Sequence, residues 1–165
     1  MKTATMYDSI NIYQIPLDAT RIAAYVNGKY PNMLQAVARF PRAYRFGISV
    51  NGLDWQHARI VDFEPGNVQT RDVLRNFVIR RNIYRPKTAV LYCYRAQLDE
   101  AEEYLHGLWH VIWLSTLDGT DLTGTRTKQG NLIVGTQVRE SEKPLYDVSQ
   151  VLKSWTYDPG PYPLG

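Results

Sequence analysis

Apolar residues recur along the chain in short runs separated by turn signals, at 7–12, 22–26, 44–50, 60–63, 89–94, 111–114, 132–138 and 145–148. Runs of this length, bounded by polar and turn-forming residues, read as eight strands. They are rich in Val, Ile, Leu and Tyr and often lack clean alternation. That is the pattern of strands covered on both faces, and it points to a parallel sheet with helices packed against it. Two longer segments carry helical spacing. Over 67–81, Val73, Leu74, Phe77 and Val78 recur at helical intervals behind Asn67 as an N-cap. Over 97–108, Leu98, Ala101, Leu105 and Leu108 do the same, with acidic residues toward the start, where the helix dipole favours them. Shorter helices are expected at 17–21 and 32–40.

The segments 51–58 and 115–131 are too polar and Gly-rich for helices, so helices concentrate in the first two thirds of the chain and loops join the last strands. A complete eightfold β/α barrel takes about 250 residues, and this chain has 165. The expected fold is therefore an abbreviated, irregular β/α barrel of the TIM type with helices missing among its later strands. One domain is expected over 1–156, followed by a Pro- and Gly-rich surface tail over 157–165.

Composition narrows the function classes. Hydrophobic residues make up 44% and charged residues 21%, which is ordinary for one globular domain, and the formal charge is +3. Lys and Arg are scattered rather than clustered, so no nucleic-acid partner is expected. No run is apolar and long enough for a signal peptide or a membrane span, so no membrane partner is expected either. A substrate outside the cytoplasm would have to be reached by cell lysis, through a pore, or by carriage in a virus particle. Cys93 is the only cysteine; it lies in an apolar run and reads as a buried, inert thiol. His57, His106 and His110 show no metal-ligand spacing, so no metal and no cofactor are expected. The serines lie in no nucleophile elbow, and the glycines form no phosphate-cradling loop.

The strongest chemical signal is Arg59-Ile60-Val61-Asp62-Phe63-Glu64-Pro65-Gly66. Residues two apart in a strand share a face, so Asp62 and Glu64 point the same way with Cα atoms roughly 6.5 Å apart, and Val61 and Phe63 point to the other. With Val61 and Phe63 under the helices, the carboxylates face the barrel interior at the C-terminal end of their strand, where barrel enzymes keep their sites. Two carboxylates on one inner face repel each other, so one holds its proton to higher pH. Glycosidic cleavage needs such a pair: one acid protonates the leaving oxygen, and the other stabilises or attacks the sugar cation, or positions the group that does. The alternative is a strand end reaching water with two ordinary hydrated acids. Asp8 in the first strand and Asp147 in the last, adjacent in a closed barrel, are expected to add two acids to the same mouth, although each taken separately reads as a turn or cap residue.

The ordered set Tyr7-Asp8-Ser9, Val61-Asp62-Phe63-Glu64, Ile112-Trp113-Leu114-Ser115, Gly135-Thr136-Gln137-Val138 and Tyr146-Asp147-Val148-Ser149 resembles the glycoside hydrolase family 25 lysozymes of the Chalaropsis type. It looks most like their divergent relatives in actinobacteria and their phages, and the likeness runs from about Tyr7 to Trp155. The resemblance implies Glu64 as general acid and Asp62 as its partner, stabilising the transition state or orienting the acetamido group. It implies Asp8 and Asp147 as members of an acidic cleft, with Trp113, Tyr94 and Gln137 contacting sugar. The implied substrate is peptidoglycan, cut between N-acetylmuramic acid and N-acetylglucosamine, and the implied setting is a phage lysin or virion-borne hydrolase. A second expectation is a virion structural, minor tail or adhesion protein that keeps the barrel for carbohydrate binding and contacts other virion proteins.

Overall fold

In the computed structural model, residues 1–68, 70–116, 118–139 and 146–155 are described. Eight strands form and close into a barrel: β1 (Thr3–Asp8), β2 (Arg21–Tyr25), β3 (Tyr44–Ser49), β4 (Ile60–Phe63), β5 (Val90–Tyr94), β6 (Val111–Ser115), β7 (Ile133–Arg139) and β8 (Asp147–Leu152). Each strand pairs with the next, and β8 pairs back with β1. Helix α1 (Met33–Arg39) precedes β3, α2 (Arg71–Tyr84) precedes β5 and α3 (Leu98–Tyr104) precedes β6. No α-helix follows α3 among the described residues, in keeping with the polar composition of 115–131. The tail expected over 157–165 lies outside the described residues.

The sheet is mixed where a parallel one was expected. Strands β1 to β7 run parallel, and β8 runs antiparallel to both of its neighbours. The cause is chain length: β7 ends at Arg139 and β8 starts at Asp147, and a parallel crossover takes a dozen or more residues. The reversal puts the first residue of β8 at the mouth formed by the last residues of the other strands.

Side-chain alternation divides the core into an inside and an outside. Ile60, Val90, Trp113 and Val151 pack within the barrel with Met6 and Phe46. Val61, Phe63, Leu91, Cys93, Ile112 and Leu114 face outward. There they meet Leu74, Phe77 and Val78, which form the apolar stripe of α2. Burial pushes the Cys93 thiol up, in keeping with an inert core cysteine. On the opposite flank, Ile22 and Ala24 pack against Met33, Ala36 and Phe40 of the α1 region. The barrel floor is closed by Trp155, which packs on Phe46 with ring centroids 4.6 Å apart. Arg59 lies over both rings, and burial lowers its guanidinium to about 10.

Three local expectations are corrected. The first strand covers Thr3–Asp8 rather than 7–12, because Ser9 ends it: Ser9 Oγ accepts from Asn11 N at 3.0 Å and its carbonyl from Asn32 Nδ2 at 2.7 Å. The helix expected at 17–21 is absent, and β2 already begins at Arg21. Asn67 caps no helix; α2 starts four residues later, at Arg71.

Candidate active site

Along each parallel strand, every second residue rises one layer through the barrel. From floor to mouth the inner face of β1 reads Met6 then Asp8, of β2 Ala23 then Tyr25, of β4 Ile60 then Asp62, and of β5 Val90 then Tyr92. The barrel is thus apolar below and polar at its C-terminal end. Asp8 and Asp147 are register partners across the antiparallel seam, and directly opposed residues of such a pair share a face. Asp8 and Asp62 are buried, at 3% and 2% exposure, while Glu64 and Asp147 are half-buried. Asp62 and Glu64 line one cleft of about 220 Å³ together with Tyr25, Asn27, Lys29 and Asn67.

Electrostatics tie the four acids together. Burial first, and then the charges of Asp8, Asp62, Glu64 and Asp147, push the Tyr25 phenol well above its ordinary value. Tyr92 is raised by burial and by Glu64, Asp8 and Asp62. The four acids expected from the sequence to share one mouth therefore all act on Tyr25, and three of them, Asp8, Asp62 and Glu64, act on Tyr92 as well. Both phenols stay protonated, and Tyr92 Oη donates a hydrogen bond to Gln137 Oε1.

The carboxylate pair is shaped by the turn that follows it. Pro65 and Gly66 form the centre of a tight turn in which Asn67 N donates to the Glu64 carbonyl at 2.9 Å. Gly66 has φ +94°, which suits the third position of a type II turn after a proline. The turn folds Asn67 back over the strand, and its Nδ2 donates to Asp62 Oδ2 at 2.9 Å. Burial, and after it the Glu64 charge, raise Asp62 well above the ordinary aspartate range, and the Asn67 hydrogen bond works against that rise. The other oxygen, Asp62 Oδ1, is buried with no hydrogen-bond partner among the described residues.

The aromatic and amide residues expected at the sugar are placed differently. Trp113 is 0% exposed, its ring 4.5 Å from Tyr92 and 6.5 Å from Trp155, with Nε1 donating to Ser149 Oγ at 3.0 Å. Gln137 is also buried, its Oε1 accepting from Tyr92 Oη at 2.6 Å. Both belong to the floor under the mouth and offer no free surface to a ligand. Tyr94, half-buried, ends β5 at the mouth, two residues above Tyr92.

Reading the sequence missed Tyr25, Tyr92 and Asn67. Tyr25 and Tyr92 stand at inward positions near the C-terminal ends of their strands, as Asp62 does, and that position was their signal. Asn67 was announced by the Pro-Gly turn. Among the described residues no cluster of three metal-ligating side chains occurs, and no helix is long and apolar enough to cross a membrane.

No protein-family model matches the chain, and no curated protein matches its sequence. Solved structures share its architecture. The lysozyme from Streptomyces coelicolor superposes with a TM-score of 0.60 at 12% identity, over 89% of this chain and 91% of that one. The modular autolysin LytC from Streptococcus pneumoniae gives 0.59 at 13% identity, over 91% of this chain and 47% of that one. The muramidase from Acremonium alcalophilum gives 0.52 at 10% identity, over 79% and 80%. At these identities the likeness is one of fold.

Proposed function

We propose that this chain is a glycoside hydrolase of muramidase type acting on peptidoglycan. The observation that carries the proposal is the convergence of Asp8, Asp62, Glu64 and Asp147 around Tyr25 at the C-terminal mouth of the barrel. The shared fold with a lysozyme and a muramidase supports it.

Glu64 is the group that reaches a ligand, because it is half-buried at the cleft while Asp62 is 2% exposed beneath it. In the cleaving step Glu64 gives its proton to the glycosidic oxygen as the bond to the anomeric carbon breaks, and Asp62 stabilises the positive charge left on the sugar. Water then adds its oxygen to that carbon and returns a proton to Glu64. Asn67 opposes the burial and the Glu64 charge that hold a proton on Asp62, and so acts in favour of the ionised Asp62 that this step uses. Delivery by a phage, at lysis or in the particle, belongs to the same proposal and rests on the sequence resemblance; finding the chain in purified particles would support virion carriage.

The test is release of reducing ends from purified peptidoglycan by the native chain and by Glu64→Gln. The substitution should lower the rate by about 10²- to 10⁴-fold, the usual contribution of a general acid. Equal release by both proteins, or none by either on several wall types, overturns the proposal.

A further inference from the structure

We propose that Lys29 forms a subsite for a carboxylate carried by the glycan, one step along the groove from the acids. This inference rests on the glycan-hydrolase reading and adds to it the chemical class of sugar. Three cavities meet at the mouth. The acid cleft of about 220 Å³ adjoins one of about 490 Å³ through Val50 and Asn67, and one of about 260 Å³ through Ile10 and Tyr30. Lys29 lines all three, and it is the one cationic side chain among their described lining residues.

Its charge is available to a ligand. The ammonium lies 5.1 Å from the Tyr30 ring centroid, and no carboxylate of the described residues pairs with it. The nearby Asp54 is engaged by the Asn27 amide, which also donates to Ser49 Oγ at 2.9 Å and to Asn51 Oδ1 at 2.7 Å. Beyond Lys29 the groove has an apolar rim of Ile10, Tyr13 and Tyr30, at 54%, 64% and 47% exposure, suited to the flat face of a sugar ring.

A cleft lined by Asp62 and Glu64, with Asp8 and Asp147 at the same mouth, disfavours an anionic ligand, so a glycan with a carboxylate beside the scissile bond needs a compensating cation along the groove. A neutral glycan has no use for one. A single ammonium matches a monoanionic carboxylate, and among the described residues no second cation lines the groove to match a dianionic phosphate.

The test compares two ligands on full-length protein carrying Glu64→Gln, which prevents turnover. One ligand is a wall-derived tetrasaccharide with free carboxylates; the other is the same tetrasaccharide with them converted to neutral methylamides. Calorimetric titration at low salt should show the free acid binding roughly two- to fivefold tighter, the scale of one exposed ion pair, and the preference should fade as salt is added. Lys29→Met should bring the ratio of affinities close to one, and Lys29→Glu should invert it. A preference that persists in Lys29→Met overturns the subsite. Equal binding of both ligands, with reducing-end release by the native chain, overturns the subsite alone. No binding of either ligand, with no release, overturns the glycan reading as well.

Discussion

Asn67 Nδ2 donates to Asp62 Oδ2 at 2.9 Å across the Pro65-Gly66 turn, and this one contact opposes both forces that hold a proton on Asp62. Burial and the Glu64 charge favour the neutral acid, whereas a donated hydrogen bond favours the carboxylate. In Asn67→Leu the opposition is gone, and Asp62 rises further. If catalysis needs Asp62 ionised, the acid limb of the pH profile of kcat/KM should move to higher pH, with the loss of rate concentrated on the acid side. A uniform drop across the profile would assign Asn67 a merely structural role.

Asp62 also makes stability depend on pH in a definite direction. Its folded value lies above the ordinary aspartate value of about 3.9, so over the interval between them the folded chain holds a proton that the unfolded chain has released. Stability from this group is complete below the ordinary value and is lost as pH rises through the raised one. Asp62→Asn keeps an oxygen for Asn67 and carries no charge, so it should melt higher than the native chain near neutral pH. Each kcal/mol of relief reads as about 2–4 °C at this chain length. The gap should close toward pH 3. A gap that stays constant across the acid range would mean that charge burial is not its cause.

The strand count was legible because strands covered on both faces write themselves as apolar runs between turns, and because α2 carries a clean stripe of Leu74, Phe77 and Val78. The acids of the mouth were legible for a related reason. Alternation fixes the faces of Val61 and Asp62 from local sequence, and closure of the barrel brings Asp8 beside Asp147 whatever the loops do. The direction of β8 was not read, since a buried strand looks the same in either direction; only the few residues separating it from β7 held the information. Ile10 and Ile12 drew the first strand too far along the chain, because apolarity alone does not show where a hydrogen-bonded ladder ends. Lys29 and Asn67 were missed because their roles come from turns that return them to the cleft.

The hydrogen bond from Tyr92 Oη to Gln137 Oε1, 2.6 Å long, joins β5 to β7 across the barrel interior. Tyr92→Phe leaves the buried Gln137 acceptor without this donor and should cost about 1–3 kcal/mol. Gln137→Leu should cost a similar amount by stranding the phenol. The double variant should lose less than the sum, because neither partner is then left wanting. Urea melts of the four proteins measure the coupling; strictly additive losses would show that the bond contributes nothing of its own.

Gly135 carries a structural demand that its chain position does not announce. It pairs with Trp113 on one side and Val151 on the other, and a Cβ at this position would stand 2.9 Å from Val151 Cγ1 and 3.2 Å from Trp113 Cδ1. The indole is fixed below by Trp155 and held by its hydrogen bond to Ser149 Oγ, so it has little room to retreat. Gly135→Ala should therefore destabilise the barrel by about 1–3 kcal/mol through overpacking. Val151→Ala alone should also destabilise, by opening a cavity. Combined, the two should cost less than their sum, because loss of Val151 Cγ1, one of the two methyls removed, makes room for the one added at Gly135. Thermal melts of the three variants test this, and additive losses would show that the methyl at Gly135 meets something other than Val151.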